Sequence, residues 1–299
     1  MWGRVTNSAL SQRCARASRS AGARRCASLV WDAAGALCMR LQSNLEIPSK
    51  ATRIFKDYVL RLYFPANRLS WPQRLRCVAP LLLVEYLVYK VDSITESAQN
   101  VDLEVTKDAD YDALFLYKAK FEKLLRRMKA YNRLVAWHME MGEQYVRIEN
   151  KVTSNRVVDH GQVVRLAELR PSDVRLLHGM IFALLRRPCD DDLLDLLWPV
   201  EVLADIGNDL AHYRDDLVNG RFNTYAMFVE LYGSMAPERI RAEITHYEEL
   251  FCARLAMFPE GRQTELKKLC TRRYRDLTAV IPEPLPQSGY RSVRNRERL

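Results

Sequence analysis

Residues 190–220, DDDLLDLLWPVEVLADIGNDLAHYRDDLVNG, decide the fold. Three acids, Asp190 to Asp192, open a helix, because carboxylates favour the positive end of the helix dipole. The apolar residues that follow recur with a period near 3.6 rather than 2. The pattern reaches Val218, and Gly220 supplies the terminator. Inside it, Asn208, His212 and Asp216 form a stripe at spacings of four, with Asp205 and Asp209 as a neighbouring pair. Residues four apart stack on one helical face, so an otherwise apolar helix carries a ladder of polar side chains.

The same period governs the segments on either side. Thr52 to Tyr63 predicts a first helix stopped by Pro65. Pro72 starts a long helix through Leu81, Tyr86 and Val91 and past Glu96. Asp108 or Asp110 caps another, running through Phe115, Leu124 and Leu125 toward Trp137 and Tyr145. Ser172, after Pro171, is the expected N-cap of a helix with Val174, Leu177, Ile181, Leu184 and Leu185 on one face, stopped by Pro188. Thr224–Tyr232, Pro237–Met257 and Gln263–Val280 follow, and roughly nine or ten helices in all are expected. No strand or repeat is expected. The fold class is all-α, with one helical domain over 45–281.

Composition agrees. The 299 residues are 48% apolar, enough for a sizeable core, and 11 Gly with 12 Pro argue against a turn-rich all-β chain. No apolar run reaches the ~18 residues of a membrane span. Val78 to Val91 contains Glu85 and Lys90 and reads as a buried core helix. The net charge of +9 sits at the ends. Met1 to Arg40 holds seven Arg and one acid, Asp32, and Ser288 to Leu299 holds four Arg and one acid, Glu297. The stretch between is formally neutral, which argues against a nucleic-acid partner, since that needs a basic face on the folded body.

Seven scattered Cys (14, 26, 38, 77, 189, 252, 270) show no CxxC pair and no zinc spacing. Reduced thiols in a cytoplasmic compartment are expected. Residues 1–44, rich in Arg, Ala and Ser, look like an organelle transit peptide or an extended start with Met39 as the first residue. Residues 282–299 read as a flexible basic tail.

Two ladders carry the chemistry. Phosphate-bound Mg²⁺ takes oxygen ligands, including one or two protein carboxylates. Helices supply these at i and i+4. The first ladder is Asp92-Ser93-Ile94-Thr95-Glu96, directly after the apolar LLLVEYLVYKV. The second is the Asn208, His212 and Asp216 stripe with Asp209. Facing each other across an apolar cavity, they could hold a diphosphate through bridging metals.

On these residues the chain resembles the class I terpenoid synthase family, over roughly Thr52 to Ile281. Asp92, Ser93 and Glu96 occupy the defining positions of its DDxxD or DDxxE motif, with Ser in place of the second Asp. Asn208, Asp209, His212 and Asp216 match NDxxSxxxE, with His in the Ser position and Asp for Glu. Gly220 and Asn223 resemble the Gly and Asn that often follow, and Arg273-Tyr274 fits the C-terminal Arg-Tyr pair that binds diphosphate. A diphosphate-sensing Arg lies upstream in the family. Arg175 and Arg170 are the candidates, with Arg175 favoured for its place in the first turn of its helix.

The resemblance implies a single-domain helical bundle around a central apolar cavity, three Mg²⁺ ions, a prenyl diphosphate substrate and a homodimer. Arg175 and Arg273 would clamp the phosphate. The allylic cation would form in a water-excluded pocket, with Tyr86, Tyr89, Phe182 and Trp198 as candidate lining. The implied reaction is a terpene synthase's, a carbon–oxygen lyase ionising geranyl, farnesyl or geranylgeranyl diphosphate.

Three other readings remain. Asp205 to Asp209, DIGND, also reads as DxxxD, like the paired motifs of squalene and phytoene synthases, and a prenyltransferase is a related condensing enzyme. A helical interaction protein without catalysis is the non-enzyme alternative. A ferritin-like di-metal bundle needs two ExxH motifs, and only Glu243 to His246 supplies one. His138, His160, His178 and His246 read as surface or satisfied core residues.

Overall fold

The computed structural model describes residues 46–99, 109–153, 159–219 and 221–285, and every regular element among them is helical. Helix α1 (Glu46–Ile54) runs into a π-helical stretch, Phe55–Tyr63, and a last α turn, Phe64–Ala66. Then follow α2 (Trp71–Gln99), α3 (Ala109–Arg127), α4 (Arg133–Thr153), α5 (His160–Leu169) and α6 (Ser172–Leu185). After these come α7 (Asp191–Val218), α8 (Thr224–Tyr232), a short 3₁₀ turn (Gly233–Met235), α9 (Ala236–Leu255) and α10 (Glu260–Thr278). None of the described helices is long and apolar enough to cross a membrane.

Helix α7 is the central rod. Fifteen of its residues are buried, among them Leu193, Leu196, Val200, Leu203, Ile206 and Leu210. Asp190 caps it by accepting from the Leu193 amide at 3.1 Å. It packs on α10 and α9, and also meets α8 and α5. On the other side of the core, α6 packs against α4 and α2, and the π stretch lies against α10 and α6. At Gly207 the approach of α10 is so close that an added Cβ would stand 2.5 Å from Leu277 Cβ.

Several expected boundaries move. The first helix continues through Pro65, which lies in its closing turn, Phe64–Ala66. The helix expected from Asp108 or Asp110 to Tyr145 is two helices, broken where Lys129 turns left-handed at φ 57°. Asn132 restarts the chain by accepting from the Val135 amide at 2.8 Å. Helix α5 was not anticipated, and a capping box made by Asp159 and Gln162 opens it. Ser172 is not a cap. It is the buried first residue of α6, and Pro171 before it makes no side-chain cap bond. Helix α6 ends when Arg186 turns left-handed, two residues before Pro188.

The stretch after α10 is pinned at its start. The Tyr225 hydroxyl donates to the Pro282 carbonyl at 2.6 Å, and the Leu285 amide donates to the Tyr213 hydroxyl at 3.1 Å. The two tyrosine rings meet edge to face, 4.8 Å apart.

Candidate functional site

The inner face of α7 carries two fully buried carboxylates, Glu201 and Asp209. Asp209, 1% exposed, accepts through Oδ2 from Arg170 and, at 2.7 Å, from the Thr224 amide. Its carboxylate therefore ties the end of α5 to the start of α8. Its second oxygen, Oδ1, is buried without a partner. Asn223, also buried, caps α8 by accepting from the Ala226 amide, and its amide group donates to the Asp209 carbonyl at 2.8 Å and to Asp216 Oδ2 at 2.9 Å. Burial raises the Asp216 carboxyl above its ordinary range, and the Asn223 bond pulls it back.

One turn earlier, Asp205 faces two cations and a phenol. The Tyr58 hydroxyl donates to Asp205 Oδ1 at 3.2 Å, and the Arg273 guanidinium lies over the Tyr58 ring, 4.2 Å from its centroid. Burial pushes Asp205 up to about 6, against the pull of Arg170 and Arg273 and with a smaller push from Asp209. Arg273 Nε is buried with no partner. Burial opposes its charge, but Tyr58 and Asp205 outweigh that and raise its pKa.

Glu201, one turn before Asp205, is fully buried. It accepts from Arg175 at 2.8 Å through Oε2 and from the Tyr63 hydroxyl at 2.8 Å through Oε1. Tyr58 and Tyr63 are five residues apart on the π stretch, while Asp205 and Glu201 are four apart on α7. In an α-helix residues five apart diverge by about 140°. An i→i+5 winding returns them to one face, so both phenols reach the same side of α7.

The remaining predicted residues have other neighbours. The His212 ring donates from Nδ1 to the Asn208 carbonyl at 2.9 Å, because a carbonyl can only accept. Tyr274 turns away from Arg273 and packs edge to face on Phe251, 6.4 Å between centroids. Phe182 stacks on His178 at 5.2 Å, and His178 in turn stacks on Tyr63 at 4.4 Å. Trp198 is edge-on to Tyr247 at 6.0 Å. Tyr89 faces the Lys50 ammonium, 5.3 Å from its ring centre, and Tyr86 is half-buried on α2. Asp92, Ser93 and Glu96 lie on α2, but their side chains, like all of Gly220, fall outside the described residues.

Sequence reasoning passed over the interior partners. Tyr58 and Tyr63 carry no local signal, since their partners are more than 130 residues distant along the chain, and Glu201 takes its other partner, Arg175, from a different helix. Glu85, at the fourth position before Tyr89, is fully buried with both oxygens unpartnered. Of the histidines set aside as surface or satisfied core, His138 is buried with neither ring nitrogen partnered. His178 has only one partnered nitrogen, Nε2, which accepts from Asn67 at 2.8 Å.

The donor set suits a hard cation in type. Asn208, Asp209 and Asp216 offer oxygens, as Mg²⁺ prefers, and the orphaned Asp209 Oδ1 is a buried acceptor still seeking a partner. Among the described residues no three His, Cys, Asp or Glu side chains converge on one point. Compared with family models, curated proteins and solved structures, the chain finds no match in any of the three.

Proposed function

We propose that this chain is a class I terpenoid synthase-like enzyme, which ionises a prenyl diphosphate with the help of Mg²⁺ in a central apolar cavity. One observation carries the reading. An apolar helix, α7, holds Asp205, Asp209 and Asp216 at its inner face, with Arg170 and Arg273 beside them and Asp209 Oδ1 unpartnered. Buried charge of this density costs stability unless paired, and it is incompletely paired here. A ligand that brings cations and phosphate oxygens together would satisfy both signs.

When bound, Mg²⁺ supplies charge neutralisation of the leaving diphosphate. Asn208, Asp209 and Asp216 on α7 and Asp92 and Glu96 on α2 would hold it, His212 being better suited to transition metals. Arg273, whose Nε is unused by the protein, is the guanidinium that receives a phosphate oxygen. Of the two upstream arginines, Arg170 lies at this cluster, whereas Arg175 is engaged by Glu201. The apolar core around α7 excludes water from a cation formed there.

The test is incubation with geranyl, farnesyl and geranylgeranyl diphosphate, with and without Mg²⁺. Mg²⁺-dependent diphosphate release from one of them is expected. Asp92→Ala and Asn208→Ala should each abolish it while leaving the helical circular dichroism unchanged. Products that form only with a second isoprenoid would place the chain among condensing enzymes of the prenyltransferase or squalene/phytoene type. No release from any substrate would sink the enzyme reading. A non-catalytic helical interaction protein would then stand, favoured by the commitment of Arg175 and Arg170 to internal carboxylates.

A further inference from the structure

The first half of α2 is buried on one side and apolar on the other. Cys77, Leu81, Val84 and Glu85 face the core. Trp71 is 69% exposed, Leu75 58% and Leu82 37%, and their spacings of four and seven place them on one face of the helix. A tryptophan and two leucines aligned on a solvent face are more than a scatter of surface apolar residues.

Along this part of the chain basic residues outnumber acids. From Tyr58 to Val91 the sequence carries Arg61, Arg68, Arg74, Arg76 and Lys90 but a single acid, Glu85, which is buried. Arg61 and Arg68 are paired, to Asp57 and Glu265. Arg74 and Arg76 flank the stripe, and Arg76 is exposed and in no ion pair among the described residues. Tryptophan and arginine around an apolar face are what a helix needs to lie in the plane of a lipid headgroup layer. Self-association through the same face would bring the unpaired Arg76 of both copies into one interface, with no exposed acid from this stretch to neutralise them.

We propose that the outer face of α2, around Trp71, Leu75 and Leu82, docks on an anionic membrane surface. The apolar side chains enter the headgroup boundary, and Arg74 and Arg76 meet lipid phosphates and carboxylates. This holds whether or not the interior of the bundle is catalytic.

Co-sedimentation of the full chain with vesicles tests it, comparing pure phosphatidylcholine with an equimolar mixture of phosphatidylcholine and phosphatidylserine. Binding to the mixed vesicles alone is expected. Because the arginines of the first forty residues also attract anionic lipid, the variants decide. Leu75→Asp should weaken binding roughly tenfold or more, by removing one buried apolar side chain. Arg76→Gln should weaken it roughly fivefold, the contribution of one basic residue near an anionic surface. Both side chains are exposed, so the circular dichroism and melting temperature should stay at wild-type values. Wild-type affinity in both variants would overturn the proposal, as would a failure of the full chain to sediment with mixed vesicles. A dimer in sedimentation velocity that dissociates in Leu75→Asp would also overturn it, reassigning the face to contact between copies.

Discussion

Arg175 Nη1 stands 2.8 Å from Oε2 of Glu201, a carboxylate with no exposure to solvent, and the arginine itself is only 14% exposed. Removing one member of such a pair strands the other in the core. Arg175→Met should therefore cost about 3–5 kcal/mol. Tyr63→Phe, which deletes the second donor to Glu201, should cost about 1.5–3 kcal/mol. The combined Arg175→Met, Glu201→Met protein should recover most of the loss. Urea denaturation measures all three. Unchanged stability in Arg175→Met, with weakened substrate binding, would make the guanidinium a ligand-binding arm instead.

Gly207 marks the closest approach of α7 and α10. An alanine there would drive its Cβ to 2.5 Å from Leu277 Cβ and 3.2 Å from the Leu277 carbonyl carbon. Overpacking of this kind costs about 1–3 kcal/mol, against the roughly 1 kcal/mol that alanine gains over glycine in a helix. The net effect of Gly207→Ala should be destabilising, visible as a lower melting temperature. On the proposed function, diphosphate affinity should fall with it, because Arg273 rides on α10 and Asp205 on α7. A melting temperature at or above wild type would mean that the helices separate freely.

Glu85 makes alkaline stability measurable at one residue. Burial pushes its carboxyl up to about 9, and the neighbouring Asp173 adds to the rise. Between its ordinary value of 4.5 and about 9, the folded chain holds a proton that the unfolded chain releases. Stability therefore declines as pH climbs through that window. Glu85→Met should raise the melting temperature at pH 8 and raise it much less at pH 5. An equal shift at both pH values would show that the carboxyl keeps its ordinary pKa in the fold.

His138 gives the opposite slope. Burial, helped by the charge of Arg175, pushes its imidazole down to about 3 from 6.5. Below pH 6.5 the unfolded chain takes up a proton that the folded chain refuses, so stability is lost as pH falls toward 3. His138→Leu removes that liability and two unpartnered nitrogens. The midpoint of acid unfolding should move to lower pH, with His178, also held down to about 3, retaining part of the slope. An unmoved midpoint would mean that His138 protonates in the folded state.

The sequence shows the helices better than it shows what holds them together. Helix α7 is legible because its acids, its 3.6 period and its Asn208 to Asp216 stripe are all local signals. The break at Lys129 is not, since neither glycine nor proline marks it and only the backbone angle betrays it. Helix α5 could have been found from Asp159 and Gln162 at capping-box spacing. Asp209, Asn223 and Arg273 are marked by motif, and Asn223 donates to the Asp209 carbonyl, although the motif gives no hint that Asp209 braces α8 against α5. The pairing of Arg175 with Glu201 is a tertiary choice between helices, and the charge pattern of either helix alone leaves it open.

The π stretch has a mechanical consequence. It and α7 mesh like two gears of unequal tooth count, five residues against four, with Tyr58 engaging Asp205 and Tyr63 engaging Glu201. A slip of the π stretch by one residue would unseat both phenols together, taking from Asp205 its phenol donor and leaving Glu201 with Arg175 alone. The two phenol bonds thereby tie the phase of the rod ahead of α2 to that of the central helix.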